Sequence, residues 1–395
     1  MVCLGAAVSI TLAPGGDRFR LGRQFIQDWI PKIRPTGDLP SLNPRFCCSF
    51  TFFNEPTTSP FPVGTVFLPI FQIIGQRKQC FLVVNIPLGD KNKVQLILQR
   101  LQEVQGAINL AKRGVEGSSG KPNLTPVRRD SIPSGFSMAV KKGLGAIAKG
   151  ELSKIVLAQA FDFISPTLFD LVLSLHNLRQ RHPDCYIFST SNGKGDNFIG
   201  ASPERLIRIQ NKQLITDALA GSTQRGANPA ADAVFATRLL NSEKEKREHE
   251  AVSDFIAQRL IEVGLIPERG TRQLMQLNGI QHLWTPFYAQ VPSFVYPLDL
   301  VAQLHPTPAV AGVPTAAACG AIRRYETFDR SLYGAPLGWL DCEGNSEFIV
   351  AIRSGLINGN KARLYGGAGI VAGSDPEQEF AEVQLKLRSL LETLV

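Results

Sequence analysis

Two pairs of glutamates in this sequence have a spacing suited to metal chemistry. Glu245 and Glu248 stand three apart in EKEKREHE, and Glu379 and Glu382 repeat the interval in DPEQEFAEV. On helices each pair shares a face, with Glu248 near Val252 and Phe255 and the second pair beside Phe380 and Val383. Magnesium takes hard oxygen ligands, typically one or two of them carboxylates, so two such helices facing a cleft could hold it. Solvated helices carry such pairs too, and spacing alone favours that plainer reading. Glu204, after a proline in NFIGASPERLI, is either a surface residue beside Arg205 or a carboxyl in apolar surroundings. In the second case burial raises its pKa and keeps it protonated as a general acid. Lys154 opens the apolar run KIVLAQAF; it is either solvated and snorkelling or drawn into a cleft as a general base.

Arg353 lies within the strand-like run EFIVAIRSGLI. A buried arginine there requires an anion, from the protein or from a ligand, and Tyr365 is open to the same two readings. ALAGSTQRG (218–226), with Gly221 and Ser222, and YGGAGIVAGSD (365–375), with Gly366, Gly367 and Gly369, place glycines where a ligand could approach main-chain amides. Gly367-Ala368-Gly369 imitates the start of a dinucleotide fingerprint. The next glycine falls at Gly373 and an acidic helix follows, which argues against a nucleotide. His282 in IQHLWT and His305 in LHPTPAVAG read most simply as packed, hydrogen-bonded histidines.

These residues need elements to hold them. The opening MVCLGAAVSITLAPGG reads as a strand, followed by strands over 46–53, 65–74 and 79–87 and a helix over 93–113. Residues 115–137 lack periodicity and are the best internal boundary. Beyond them come a helix over 138–150, a strand over 154–164, a helix over 165–182 behind a Ser165 cap, and a strand over 185–190. A hairpin over 197–221 turns near Asn211-Lys212, and one long helix is expected over 229–263. EFIVAIRSGLI and KARLYGGAGIV form a late hairpin about Asn358-Gly359-Asn360. The last helix starts near Pro376 with an apolar stripe of Phe380, Val383, Leu387, Leu390 and Leu394. Strand pairs alternating with long helices imply an α+β fold without a βαβ register.

Composition narrows the class. No run of 18 apolar residues suggests a membrane span, and the apolar start lacks the basic flank of a signal peptide. Seven cysteines without a CxxC pair argue against a disulfide scaffold or structural zinc and point to a reducing, cytoplasmic compartment. The net charge of +8 is dispersed in short clusters, unlike the basic stripe of a nucleic-acid binder.

Taken in order, KIVLAQ, GASPERLI, ALAGSTQRG, SEKEKREHEAV, QHLWT, LHPTPAVAGVP, YGAPLGWLD, EFIVAIRS and LYGGAGIVAGSDPEQEFAEVQLK resemble the chorismate-utilising enzymes over roughly 150–390. That family includes isochorismate, salicylate, anthranilate and aminodeoxychorismate synthases. The resemblance implies one large α+β fold with two facing sheets and outer helices. Residues 1–120 would be a variable part of that fold and 137–395 the chorismate-binding catalytic region.

By the same resemblance, Glu248 and Glu382 would hold magnesium, with Glu245 and Glu379 acting directly or through water. Arg353 and Tyr365 would hold the enolpyruvyl carboxylate with amides of Gly366 to Gly369, and Gly221 and Ser222 would lie against the ring carboxylate. His282, in the matching QHLWT, joins the substrate-binding set. Family members that install nitrogen have glutamine where this chain has Lys154, and the lysine nucleophile of aminodeoxychorismate synthases is Ala220 here. Isochorismate synthase is therefore the expected activity: Lys154 as base to a water attacking ring C2, Glu204 as acid to the departing C4 hydroxyl. Salicylate synthase, which adds pyruvate elimination, is the nearest rival; an anthranilate-type enzyme and a non-catalytic chorismate-binding module stand further off. The resemblance implies a monomer free of nucleic acid and membrane, and a downstream isochorismate-consuming enzyme in quinone (menaquinone or phylloquinone), siderophore or salicylate biosynthesis. Gln159 and Gly366 depart from the arginine and alanine usual in relatives.

Overall fold

The computed structural model describes residues 1–36, 43–55, 58–76, 79–89, 91–112, 128–129 and 135–395. The first stretch of chain gives β1 (Val2–Leu12), α1 (Arg18–Trp29), β2 (Arg45–Phe50), β3 (Gly64–Gln76), β4 (Gln79–Val84) and α2 (Lys91–Lys112). The boundary expected at 115–137 lies almost wholly outside the described residues. Next come β5 (Arg128–Arg129), α3 (Phe136–Ala148), β6 (Lys154–Ile164), α4 (Leu171–Arg181), β7 (Tyr186–Ser191), β8 (Asp196–Ser202), β9 (Arg205–Gln210) and β10 (Gln213–Gln224). The chain continues through α5 (Pro229–Asn241), α6 (Glu243–Glu262), β11 (Glu268–Arg269), β12 (Gln273–Gln276), β13 (Ile280–Gln290), α7 (Pro297–Leu304) and β14 (Gly312–Val313). It ends with α8 (Thr315–Tyr325), β15 (Pro336–Asp341), β16 (Ser346–Val350), β17 (Ser354–Asn358), β18 (Lys361–Val371) and α9 (Pro376–Leu391).

The strands make two antiparallel sheets. One runs β1–β3–β2–β15–β16–β9–β10–β13–β11, with β4 on β3 and β12 also on β13; the other runs β14–β6–β18–β17–β8–β7, with β5 on β6. This is the expected α+β architecture of two sheets with helices outside them. The early strands extend the first sheet, since β2 pairs β15 from Leu337↔Ser49 to Asp341↔Arg45. Among the described residues no helix is long and apolar enough to cross a membrane.

Four local expectations change, each for a stated reason. The helix over 229–263 is two helices: Ser242 is extended (φ −70, ψ 115) and its side chain accepts from the Glu245 amide, so it stops one helix and caps the next. The helix after Ser165 starts six residues later, at Leu171, because Asp170 supplies the cap. The strand through Arg353 is broken, with Arg353 at φ +51. The hairpin over 197–221 is shorter than expected: residues to Ser202 belong to β8 in the second sheet, because the chain crosses between the sheets before Arg205. Only β9 and β10 pair across the turn at Asn211-Lys212, where both residues take positive φ.

The broken strand is what builds the centre of the molecule. The chain leaves the second sheet after β8 and enters the first at β9; it returns from β16 to β17. The two crossings lie side by side. The Val350 amide donates to the Glu204 carbonyl at 3.1 Å, the Ala201 amide donates to the Arg353 carbonyl at 3.1 Å, and the Ser202 hydroxyl donates to the Val350 carbonyl at 2.6 Å. Glu204 and Arg353 are thereby fixed where the sheets join. Behind them α9 starts at Pro376 under an Asp375 cap and buries Val383, Leu387 and Leu390, each worth about 1.5–3 kcal/mol if fully withdrawn from water. Gly366 lets this helix approach, since a Cβ there would stand 3.1 Å from Val383 Cγ1.

Candidate active site

A cavity of about 80 Å³ opens between the sheets, and Glu204, Gly221, Ser222, His282, Arg353 and Gly367 line it together with Gly369 and all four helix glutamates. A second cavity shares Arg353 and Gly367 with it and adds Tyr365 and Gly366. Lys154 lines neither but touches the first through Glu248, its Nζ lying 2.9 Å from Glu248 Oε1. The structure thus gathers every candidate residue at one place.

Local structure explains how. In β10 the pairing with β13 shifts between Ala220 and Ser222, and Gly221 takes φ +78 with its position pressed against Glu245. This bulge turns the Ser222 amide to Glu245 Oε2 (3.1 Å) and its hydroxyl to Glu382 Oε1 (2.9 Å), tying β10 to α6 and α9. β17 ends opposite Tyr365, so Gly366 to Gly369 keep only the ladder to β6. The Gly367-Ala368-Gly369 stretch is interior strand and not the strand-to-helix turn of a dinucleotide site, as expected. Tyr365 is buried and stacked on Tyr333 at 5.3 Å.

The acid candidate has the required environment. Glu204 is 3% exposed, and burial, aided by the charge of Asp217 and opposed by Lys154 and Lys386, pushes its pKa up to about 8. No hydrogen bond among the described residues holds its carboxyl. His282 lines the same cavity: burial first, then Arg353 and Lys386, hold it well below the usual imidazole range, and its Nε2 lies 3.4 Å from Arg353 Nη2. His305 is the packed histidine expected, bonded through Nε2 to the Phe52 carbonyl at 3.0 Å.

Lys154 differs from expectation in one respect. It is buried, 2% exposed, but it faces a carboxylate. Its contact with Glu248 is an ion pair without hydrogen-bond alignment, so its N–H groups have no acceptor among the described residues. Similar lysines serve the other acids: Lys386 Nζ is 2.6 Å from Glu382 and donates to the Gly367 carbonyl at 2.9 Å, and Lys244 is 3.1 Å from Glu379 and 3.8 Å from Glu245. Sequence reasoning passed over Lys244 and Lys386. The interval of four between Glu382 and Lys386 on one helix was the available signal.

Among the described residues no three acidic, histidine or cysteine side chains converge as a formed metal group. The donor set nevertheless suits a hard cation. Burial and the nearby Glu248 raise the Glu245 pKa to about 7, and burial with Glu382 as neighbour raises that of Glu379. For Glu382 burial also opposes charge, but Lys386 and the Ser222 hydroxyl outweigh it and hold the pKa below the ordinary value. Glu245 and Glu379, whose ionisation burial and a neighbouring carboxylate oppose, are thus short of positive charge. Gly369 keeps room for Glu248, since a Cβ there would stand 2.5 Å from Glu248 Oε1 and 3.3 Å from Lys154 Cε. Gly369→Ala should displace the Glu248–Lys154 pair and lower activity by about 10-fold or more, with a melting temperature little changed because the flexible carboxylate can yield. Paired kinetic and thermal measurements check this.

Comparison with known proteins gives the same picture. A family model described as chorismate binding enzyme matches residues 1–395. Isochorismate synthase MenF of Bacillus subtilis is 32% identical over 337 residues, 85% of this chain and 70% of that one. Isochorismate synthase DhbC of the same organism is 37% identical over 345 residues, 82% and 84% of the two chains. The solved structure of MenF, the menaquinone-specific isochorismate synthase from Escherichia coli, superposes with a TM-score of 0.77 at 28% identity, over 98% of this chain and 85% of that one. With a full-length family match and the acid pairs, lysine and buried glutamate around one cavity, this chain belongs to the chorismate-binding enzyme family, in the company of its isochorismate synthases.

Proposed function

We propose that the protein converts chorismate to isochorismate with the help of magnesium. The observation that carries this is Glu204, buried at the sheet junction with a pKa near 8, sharing one environment with Lys154 and the four glutamates. Arg353, with Tyr365 and the unpaired edge at Gly366 to Gly369, receives the enolpyruvyl carboxylate. Gly221, Ser222 and His282 flank the ring. Glu248 and Glu382 would hold the metal, with Glu245 and Glu379 beside them. When bound, magnesium supplies positive charge that neutralises the ring carboxylate and fixes the ring.

The chain's own groups carry the proton steps. Lys154, acting in its neutral form, takes a proton from the water that bonds to C2; the ring double bonds shift, the C4–O bond breaks, and Glu204 gives its proton to the departing hydroxyl, so one water enters and one leaves. Holding acid and base on fixed strands converts this into a positioned reaction within one complex.

Incubation with chorismate and Mg2+ should give a mixture of chorismate and isochorismate without pyruvate. Stoichiometric pyruvate with salicylate would replace this reading by salicylate synthase. The kcat/KM should fall on the alkaline side of about pH 8, because Glu204 must keep its proton and loses it there. A rate that instead rises through this range contradicts the acid role.

A further inference from the structure

β9 and β10 pair only from Arg208↔Ile215 to Gln210↔Gln213. Toward Glu204 the ladder ends and side chains span the gap. The Thr216 hydroxyl donates to the Leu206 carbonyl at 2.6 Å. Asp217, 5% exposed, accepts the Trp284 indole N–H at 2.9 Å and faces Arg205 Nη1 at 3.6 Å. Arg205 Nε in turn donates to the Tyr186 hydroxyl at 3.0 Å, which belongs to the other sheet. Asp217 shares its face of β10 with Leu219, and Trp284 shares its face of β13 with His282. Leu219 and His282 line the cavity, so the cluster lies on the cavity side of the sheet.

An aspartate buried on that face is costly unless its charge does something a pair of apolar side chains cannot. Glu204 needs such help. Its carboxyl has no hydrogen bond among the described residues, and its direction depends on the backbone, whose N–H donates to Ser202 Oγ at 3.2 Å, and on where Arg205, next in the chain, is anchored. We infer that Asp217, Arg205 and Trp284 form a brace that positions Glu204 for proton delivery, an inference that rests on the isochorismate synthase reading.

The electrostatics agree with that geometry. The charged groups facing Glu204 are Lys154 from β6 and Lys386 from α9, which favour its ionisation, and Asp217 from β10, which opposes it. Asp217 itself is faced by Arg205 of β9 and Trp284 of β13, while Tyr186 of β7 and Glu347 of β16 act on Arg205. The brace therefore holds the acid in place and presents a negative charge that adds to burial in opposing its ionisation.

Asp217→Asn keeps the shape and removes the charge; Trp284→Phe keeps the ring and removes the donor. Isochorismate formation is followed against pH for both, with melting temperatures. For D217N the expected result is a fall in kcat of about 10-fold, KM within about twofold, and an alkaline limb moved to lower pH. W284F should lower kcat in the same selective way with its limb in place. If D217N does not fold, the kcat-against-KM split in W284F decides alone. Unchanged kcat in the folded variants, or kcat and KM altered alike with the D217N limb unmoved, overturns the brace. Failure of the wild type to make isochorismate overturns the functional reading, and this inference with it; normal wild-type turnover with unaffected variants overturns this inference alone.

Discussion

Glu204→Gln is expected to lower isochorismate formation by about 10²–10⁴-fold while leaving substrate affinity nearly intact. Glutamine fills the same buried space at the sheet junction but has no acid proton to give. Whatever activity remains should lack the alkaline limb near pH 8. Stability offers an independent reading of the same group. Folding raises this pKa from 4.5 to about 8, so over that window the native state holds a proton the unfolded chain has released. Wild-type stability therefore falls as pH climbs from about 4.5 through about 8, and E204Q should melt without that component of the slope. Lys154→Met should cost turnover on a similar scale, with a lower melting temperature as well, because it strands Glu248 beside Glu245 without a counter-ion. Steady-state rates and thermal melts across pH check both variants. Full turnover in either removes that residue from the chemistry.

Chelation is the second test, and its effect should be as large. EDTA should abolish turnover and Mg2+ should restore it. Glu248→Gln and Glu382→Gln should each lower activity by about 10²-fold or more and weaken Mg2+ binding measured by calorimetry. The binding readout separates a lost ligand from a damaged fold. Glu245→Gln should have the smaller effect, since burial and the nearby Glu248 raise its pKa to about 7, so its negative charge is less available to a cation than that of Glu382, whose pKa is lowered. Undiminished activity in EDTA, or equal losses at all three positions, would falsify the division of labour among these carboxylates.

Much of the scaffold was legible from neighbouring residues alone. Pro376 behind Asp375, followed by apolar residues at intervals of three and four, predicts α9 where it stands. Unbroken strand composition predicts β6 to the residue, and Asn211-Lys212 predicts a turn in which asparagine tolerates the positive φ it takes. Two caps depart from the periodic pattern: Ser242, a strong cap, interrupts the helix expected over 229–263, and Asp170 in place of Ser165 starts α4. The apolar continuity of EFIVAIRSGLI hid the break at Arg353, because residues on either side are buried, each in a different sheet.

The sequence by itself determined which groups could take part: hard carboxylates at helical spacing, a lysine opening a strand, a glutamate behind a proline, glycines where a Cβ has no room. Caps, turns and periodicity act over a few residues, so they can be read in the chain's own order. Which groups meet was decided by tertiary structure alone. Lys154 against Glu248, Ser222 between two helices, and Asp217 under Trp284 all join strands and helices far apart in the chain. Their energies depend on burial and on the charges opposite, and neither exists until the two sheets close on one another.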